Sequence, residues 1–299
     1  MKPLGRILTA MITPFDANGE LDVREAVNVA RFLVDRGNDG VVVAGSTGEG
    51  SALETPEKLT LFREIKAALG SSGTVIAGTG GNNTRQSIEL TKAAEQCGVD
   101  AVLLTVPAYV KPTQDGMLQH FGAILDATPL PAIIYNIPGR TAANMLPATF
   151  AELARRHRNV AGIKESTGDV NQFTAILRER GRDDVTFWAG DDYIYLPSLA
   201  IGGYGIVSVA GHLVSRELRA MADAFDAGDV DTAARIHQDL APLIAALFAT
   251  TNPIPVKWAM GTYGFKAGAC RSPLGAMPDE LKTRLEPLIA PYQPSAVAS

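Results

Sequence analysis

The chain has 299 residues, of which 46% are apolar and 20% charged. That is the composition of a folded globular protein and excludes a disordered one. Lys and Arg number 27 against 32 Asp and Glu, a net charge of −5 with no basic stripe, so no nucleic-acid partner is expected. Nothing approaches the ~18 uninterrupted apolar residues of a membrane span, so no membrane partner is expected either. The apolar run 7–12 is broken by Pro14 and Asp16 too soon to be a signal peptide. Cys97 and Cys270 are too few for a disulfide scaffold and fit a reducing cytoplasmic compartment; Cys97, in an Ala-rich helical pattern, reads as a small core residue.

Short apolar runs alternate with stretches of helical period. The spacing predicts eight strands over 7–12, 40–44, 74–78, 101–106, 132–137, 160–163, 186–189 and 205–209. They are rich in Val and Ile at successive positions, as in strands covered on both faces. Between them helices are expected over 23–36, 56–69, 84–97, 114–127, 146–157, 171–180, 195–201 and 216–227. Thr55 is the expected N-cap of the second, with Pro56 at its first position. Two further helices are expected over 229–250 and 278–289, separated by the punctuation Asn252-Pro253-Ile254-Pro255, and the small, polar tail 293–299 is expected to fray. Eight strand–helix units imply a (β/α)8 TIM barrel over residues 1–228 with a C-terminal helical extension over 229–299. An open doubly wound sheet is the alternative.

Barrel chemistry is built on the C-terminal ends of strands. Polar residues gather there: Gly45-Ser46-Thr47-Gly48-Glu49-Gly50, Pro107-Ala108-Tyr109, Tyr135-Asn136, Lys164-Glu165-Ser166 and Gly190-Asp191-Asp192. Lys164 ends a strand in which Val160, Gly162 and Lys164 alternate onto one face. Facing the interior, with Gly162 leaving room beneath it, its amine would be desolvated and shifted toward the neutral form, which attacks ketones to give a Schiff base. A structural ion pair is the other reading of that lysine. Tyr135 shares a face with Ile133 on the neighbouring strand, where a phenol could shuttle protons, or simply fill the core.

The Gly45–Gly50 turn lacks the Gly-Lys-Ser/Thr ending of a phosphate loop, and Gly78-Thr79-Gly80-Gly81 does not complete a dinucleotide fingerprint. Backbone amides of Ser46 and Thr47 suit a small carboxylate instead. His120, His157, His212 and His237 lack metal-ligand spacing and read as surface or helix-end residues. Asp191-Asp192 reads as the cap of a following helix. No metal and no cofactor are expected.

These motifs, with Tyr135-Asn136-Ile137-Pro138-Gly139-Arg140-Thr141 and Gly162-Ile163-Lys164-Glu165, resemble the dihydrodipicolinate synthase / N-acetylneuraminate lyase family over nearly the whole chain. The resemblance implies a class I pyruvate-dependent aldolase or synthase on a (β/α)8 barrel, a homotetramer built as a dimer of dimers. It implies that Lys164 forms the Schiff base, that Tyr135 and Ser46 belong to a proton relay, and that the Ser46 and Thr47 amides hold the pyruvate carboxylate. Tyr109 would enter the site of a neighbouring subunit, Val207 would turn its carbonyl toward the site, and Gly190 would lie among the substrate-binding residues. Arg140 matches the synthase branch, where an arginine binds the carboxylate of aspartate semialdehyde. Ser46 is the departure, since that branch usually has Thr there. The implied reaction is the condensation of pyruvate with L-aspartate 4-semialdehyde. A retro-aldol lyase or dehydratase acting on a 2-keto acid is the second reading, and a non-catalytic pyruvate-binding barrel the third. Lysine-sensitive members of the family carry a Tyr, a Glu and histidines where this chain has Ala108, Gln86, Thr55 and Lys58, with Asn82 kept. Weak or absent inhibition by lysine is therefore expected.

Overall fold

A computed structural model describes residues 4–294. The extreme N-terminus before Leu4 and the tail beyond residue 294, where fraying was expected, lie outside the described residues. Strands β1 (Ile7–Ala10), β2 (Gly40–Val43), β3 (Thr74–Gly78), β4 (Ala101–Thr105), β5 (Ala132–Asn136), β6 (Val160–Glu165), β7 (Thr186–Ala189) and β8 (Gly205–Ser208) pair in parallel in sequence order. The sheet closes through Ile7↔Ile206, Leu8↔Val207 and Thr9↔Ser208, so the barrel holds and the open sheet is excluded.

The helices, in chain order, are α1 (Val23–Asp35), α2 (Thr55–Leu69), α3 (Thr84–Gln96), α4 (Gln114–Leu125), α5 (Pro138–Thr141), α6 (Pro147–Arg156), α7 (Val170–Glu179), α8 (Tyr195–Ala200), α9 (Gly211–Asp226), α10 (Val230–Leu247), α11 (Ile254–Thr262) and α12 (Asp279–Ile289). The expected cap of α2 is off by one residue. Glu54 caps it, its amide donating to the Glu57 carboxylate at 2.8 Å, and Thr55 already belongs to the first turn. Helix α9 begins five residues before its expected start and kinks at Val214. Its first turn is buried at the barrel end, where Gly211 N donates to Ser208 Oγ at 2.7 Å. The expected punctuation at Asn252-Pro253-Ile254-Pro255 runs into helix α11, with Pro255 in its first turn, where a missing N–H leaves no bond unmade. Helices α10 and α11 pack on α9, and α10, α11 and α12 pack on one another.

Side chains of each strand divide between two cores. Leu8, Val42, Ile76, Leu103, Ile133 and Trp188 fill the barrel interior, while Ile7, Val41, Val75, Val102, Ile134 and Phe187 face the helices. Strand β6 breaks the simple alternation. Its register against β5 shifts between Ala132↔Val160 and Ile133↔Gly162, an extra residue on one strand. Val160 therefore packs with the helix layer and Ala161 with the interior, so Val160 does not share a face with Lys164 as expected. Nor does Gly162 leave room for the lysine. A Cβ there would lie 2.0 Å from Thr186 O and 2.6 Å from Trp188 Cζ3, so the missing side chain admits β7 and its tryptophan.

Two readings of single residues also change. Cys97 lies at the margin of the core, the half-buried C-cap of α3 packed against it. His212 is no surface residue but wholly buried, and His120 is buried as well.

Candidate active site

Lys164 stands near the C-terminal end of β6, in register with Tyr135 on β5 and Trp188 on β7. It is 5% exposed, and its Nζ lies 4.1 Å from the centre of the Tyr135 ring. Burial lowers its pKa from the ordinary 10.5 to about 7; Asp192 and Asp191 pull it up and the Arg140 charge pulls it down. A substantial neutral fraction thus exists at pH 7, the form a carbonyl needs. Burial pushes the Tyr135 phenol up to about 12, against the opposing pull of the Ser166 hydroxyl and the Arg140 charge. A phenol held that high stays protonated until a reaction takes its proton.

Both groups open onto a cavity of about 290 Å³, which Ser46, Thr47, Arg140 and Gly190 also line. The Ser46 and Thr47 amides donate to no carbonyl or side chain among the described residues, and both residues line that space. Their turn is held from beneath. Glu49, in left-handed backbone (φ 53°), buries its carboxylate 2.6 Å from Lys257 Nζ and accepts from Arg271 N at 2.7 Å. Asn252 Nδ2 donates to Thr47 Oγ1 at 2.9 Å, and Asn252 O accepts from Arg140 Nη2 at 3.4 Å. The segment between α10 and α11 thus reaches back to the turn and to the arginine. Arg140, exposed on the one-turn helix α5, has no carboxylate partner among the described residues.

Two expected site residues do not line this cavity. Val207 is buried within the barrel interior and does not line the cavity; Val209, two residues further, does. Val209 lies just past the end of β8 and packs with the other core cluster, so it is the residue at the mouth. Tyr109 is 89% exposed, in left-handed backbone (φ 70°), and does not line this cavity. Asp191 caps the following 3₁₀ turn as expected, accepting from Tyr193 N at 3.0 Å, and also lines the cavity. Asp192 caps something else. Its buried carboxylate accepts from Ser208 Oγ and from Val209 N at 3.0 Å, tying β7 to β8. Ser166, Asn252 and Phe248 line the cavity and were missed. Ser166 had a signal, standing two residues after Lys164; Phe248 had none, because only tertiary packing brings the end of α10 over the barrel mouth. Among the described residues no cluster of three or more His, Cys, Asp or Glu gathers to hold a metal, and no helix is long and apolar enough to cross a membrane.

A closed (β/α)8 barrel with a buried, near-neutral lysine beside a tyrosine at its strand ends is the architecture of a Schiff-base-forming lyase. The chain belongs to the dihydrodipicolinate synthetase family, whose model matches residues 3–291. It is 51% identical to a 4-hydroxy-tetrahydrodipicolinate synthase of Moorella thermoacetica over 94% of this chain and 96% of that one. It is 49% identical to the enzyme of the same name from Desulforudis audaxviator, over 97% and 98%. A dihydrodipicolinate synthase structure from Bacillus anthracis superposes with a TM-score of 0.94 at 41% identity, covering 97% of this chain and 99% of that one. A lysine-bound one from Cyanidioschyzon merolae gives 0.94 at 40%, covering 96% and 97%.

Proposed function

We propose that this chain is a 4-hydroxy-tetrahydrodipicolinate synthase that condenses pyruvate with L-aspartate 4-semialdehyde, a step toward lysine and diaminopimelate. The observation that carries the reading is the Lys164 amine, buried and lowered to about pH 7 against the Tyr135 ring. The neutral amine attacks C2 of pyruvate while the Ser46 and Thr47 amides hold its carboxylate. The carbinolamine loses water as Tyr135 supplies the proton. Loss of a methyl proton gives the enamine, whose carbon attacks the aldehyde; the product cyclises and leaves Lys164 free. Arg140, exposed at the mouth with its guanidinium unpaired by any carboxylate among the described residues, binds the carboxylate of the semialdehyde.

The working assembly in this reading is a cytoplasmic homotetramer, a dimer of dimers. Tyr109, exposed in left-handed backbone and held among the described residues through Tyr109 N to Thr141 O at 3.1 Å, supports it. In this reading, a large aromatic exposed on its own chain completes the relay of a neighbouring copy.

Borohydride reduction in the presence of pyruvate tests the covalent step. A reduced pyruvyl mass is expected on the single peptide containing Lys164. Labelling elsewhere, or none in active enzyme, refutes the mechanism. Rates with pyruvate plus aspartate semialdehyde, set against cleavage of a panel of 2-keto-3-deoxy acids, decide the substrate.

A further inference from the structure

Ser166 has no role in the chemistry above, yet it stands at its centre. It follows Lys164 by two residues at the end of β6, so both side chains rise from one face into the barrel mouth. Its backbone is fixed on one side by Ser166 N to Asn136 O at 2.9 Å, and the neighbouring Glu165 O accepts from Gly190 N at 2.8 Å on the other. The residue is half-buried, but its Oγ is closed off from solvent and has no hydrogen-bond partner among the described residues. Buried hydroxyls are ordinarily paired, so one left free at the wall of a reactive cavity calls for a partner there. A Cβ on Gly190 would lie 2.0 Å from Ser166 Oγ and 3.0 Å from Lys164 Cε. Glycine at 190 is what lets hydroxyl and amine stand side by side. Ser46, by contrast, is exposed at its turn.

We propose that Ser166 is a positioning residue for the proton transfers at Lys164, its Oγ–H donating to the Tyr135 oxygen as that oxygen gives up its proton. The inference rests on the Schiff-base reading above. In carbinolamine dehydration the Tyr135 O–H breaks and its proton goes to the C2 hydroxyl. The C2–O bond then breaks, water leaves, and the nitrogen lone pair forms C=N. The phenolate left behind takes a proton from the methyl carbon as the iminium becomes the enamine, which restores the phenol. Between those steps a negative oxygen sits in a site that burial makes hostile to it. A hydroxyl on the wall of the same cavity, with no hydrogen-bond partner among the described residues, lowers that barrier; the downward pull of Ser166 on the Tyr135 pKa accords with this.

The test is the rate of imine formation with pyruvate alone, read by rapid mixing into borohydride and mass spectrometry of the full-length enzyme. Ser166→Ala is expected to slow it about 10-fold, the effect of losing a hydrogen bond to a charged group. The final trapped stoichiometry and the pyruvate half-saturation should stay within about twofold of the unsubstituted enzyme. In a Tyr135→Phe background the same change should alter the rate less than about twofold, because the serine then has no oxygen to serve. Imine formation at the unsubstituted rate in Ser166→Ala overturns the inference. So does full multiplication of the two slowings in the double variant, which would mark independent packing effects. Failure of unsubstituted enzyme to be trapped at Lys164 would instead overturn the Schiff-base reading beneath it.

Discussion

Lys164 reaches its near-neutral state through position and not through any one partner. Burial in the barrel mouth outweighs the two aspartates that favour its charge, and Arg140 adds a like charge at the rim. Arg140 therefore has two effects, one on the amine and one on the second substrate. Arg140→Ala should still allow pyruvate to be trapped at Lys164 while kcat/KM for aspartate semialdehyde falls roughly 10- to 150-fold, the worth of a charge-assisted contact at ~1.5–3 kcal/mol. Unchanged kinetics with that aldehyde would point to the lyase or dehydratase reading. A second residue-scale expectation concerns the cleft of about 620 Å³ lined by Thr55, Lys58 and Gln86. A bound lysine's ammonium groups would meet the Gln86 dipole in place of a carboxylate, and the Lys58 cation nearby. One lost charged hydrogen bond weakens binding about 10-fold or more. Little inhibition is expected at millimolar L-lysine, and a midpoint below about a millimolar would refute this.

At the scale of elements, the barrel is closed by polar pins as well as by strand pairing. Ile12 N can only donate, and it donates to His212 Nε2 at 3.1 Å. The ring proton of the neutral imidazole must then sit on Nδ1, which donates to Val209 O at 2.8 Å. The chain just after β1 is thereby joined to the loop after β8. Burial lowers the His212 pKa from 6.5 to about 4, so the unfolded chain binds the extra proton first. Stability contributed by this pin is present above pH 6.5 and is lost as pH falls toward 4, about 3 kcal/mol over that window. Melting temperature should drop across it, and His212→Gln, which keeps a donor and an acceptor but cannot titrate, should flatten the drop. Parallel melting curves for the two proteins would rule the pin out. The C-terminal extension acts on the site in the same way, through Asn252 on Thr47 and Lys257 of α11 on Glu49.

For the whole molecule, the position of Tyr109 decides whether one chain holds a complete site. Its ring reaches nothing in the cavity of its own chain. If it completes a neighbour's relay, mixing inactive Tyr109→Phe and Lys164→Ala chains should restore part of the activity, because some hybrid sites carry neither change. No recovery after verified subunit exchange would place Tyr109 outside the relay or within its own chain.

Much of this was legible along the chain. Period and composition predicted eight strands, and the ends of β3 and β7 matched the expected ones, because a strand covered on both faces leaves an uninterrupted Val/Ile signature. Lys164 and Tyr135 could be singled out because an amine and a phenol together on adjacent strand ends signal more than either does alone. What the tertiary structure alone decided depends on contacts between distant segments. The extra residue in β6 shows only when β5 is laid beside it. The burial of His212 needs Ile12, 200 residues away, and Asn252 meets Thr47 across 205. Period and propensity are local quantities, whereas a cavity's wall, a lysine's desolvation and a hydroxyl left without a partner exist only once the barrel has closed.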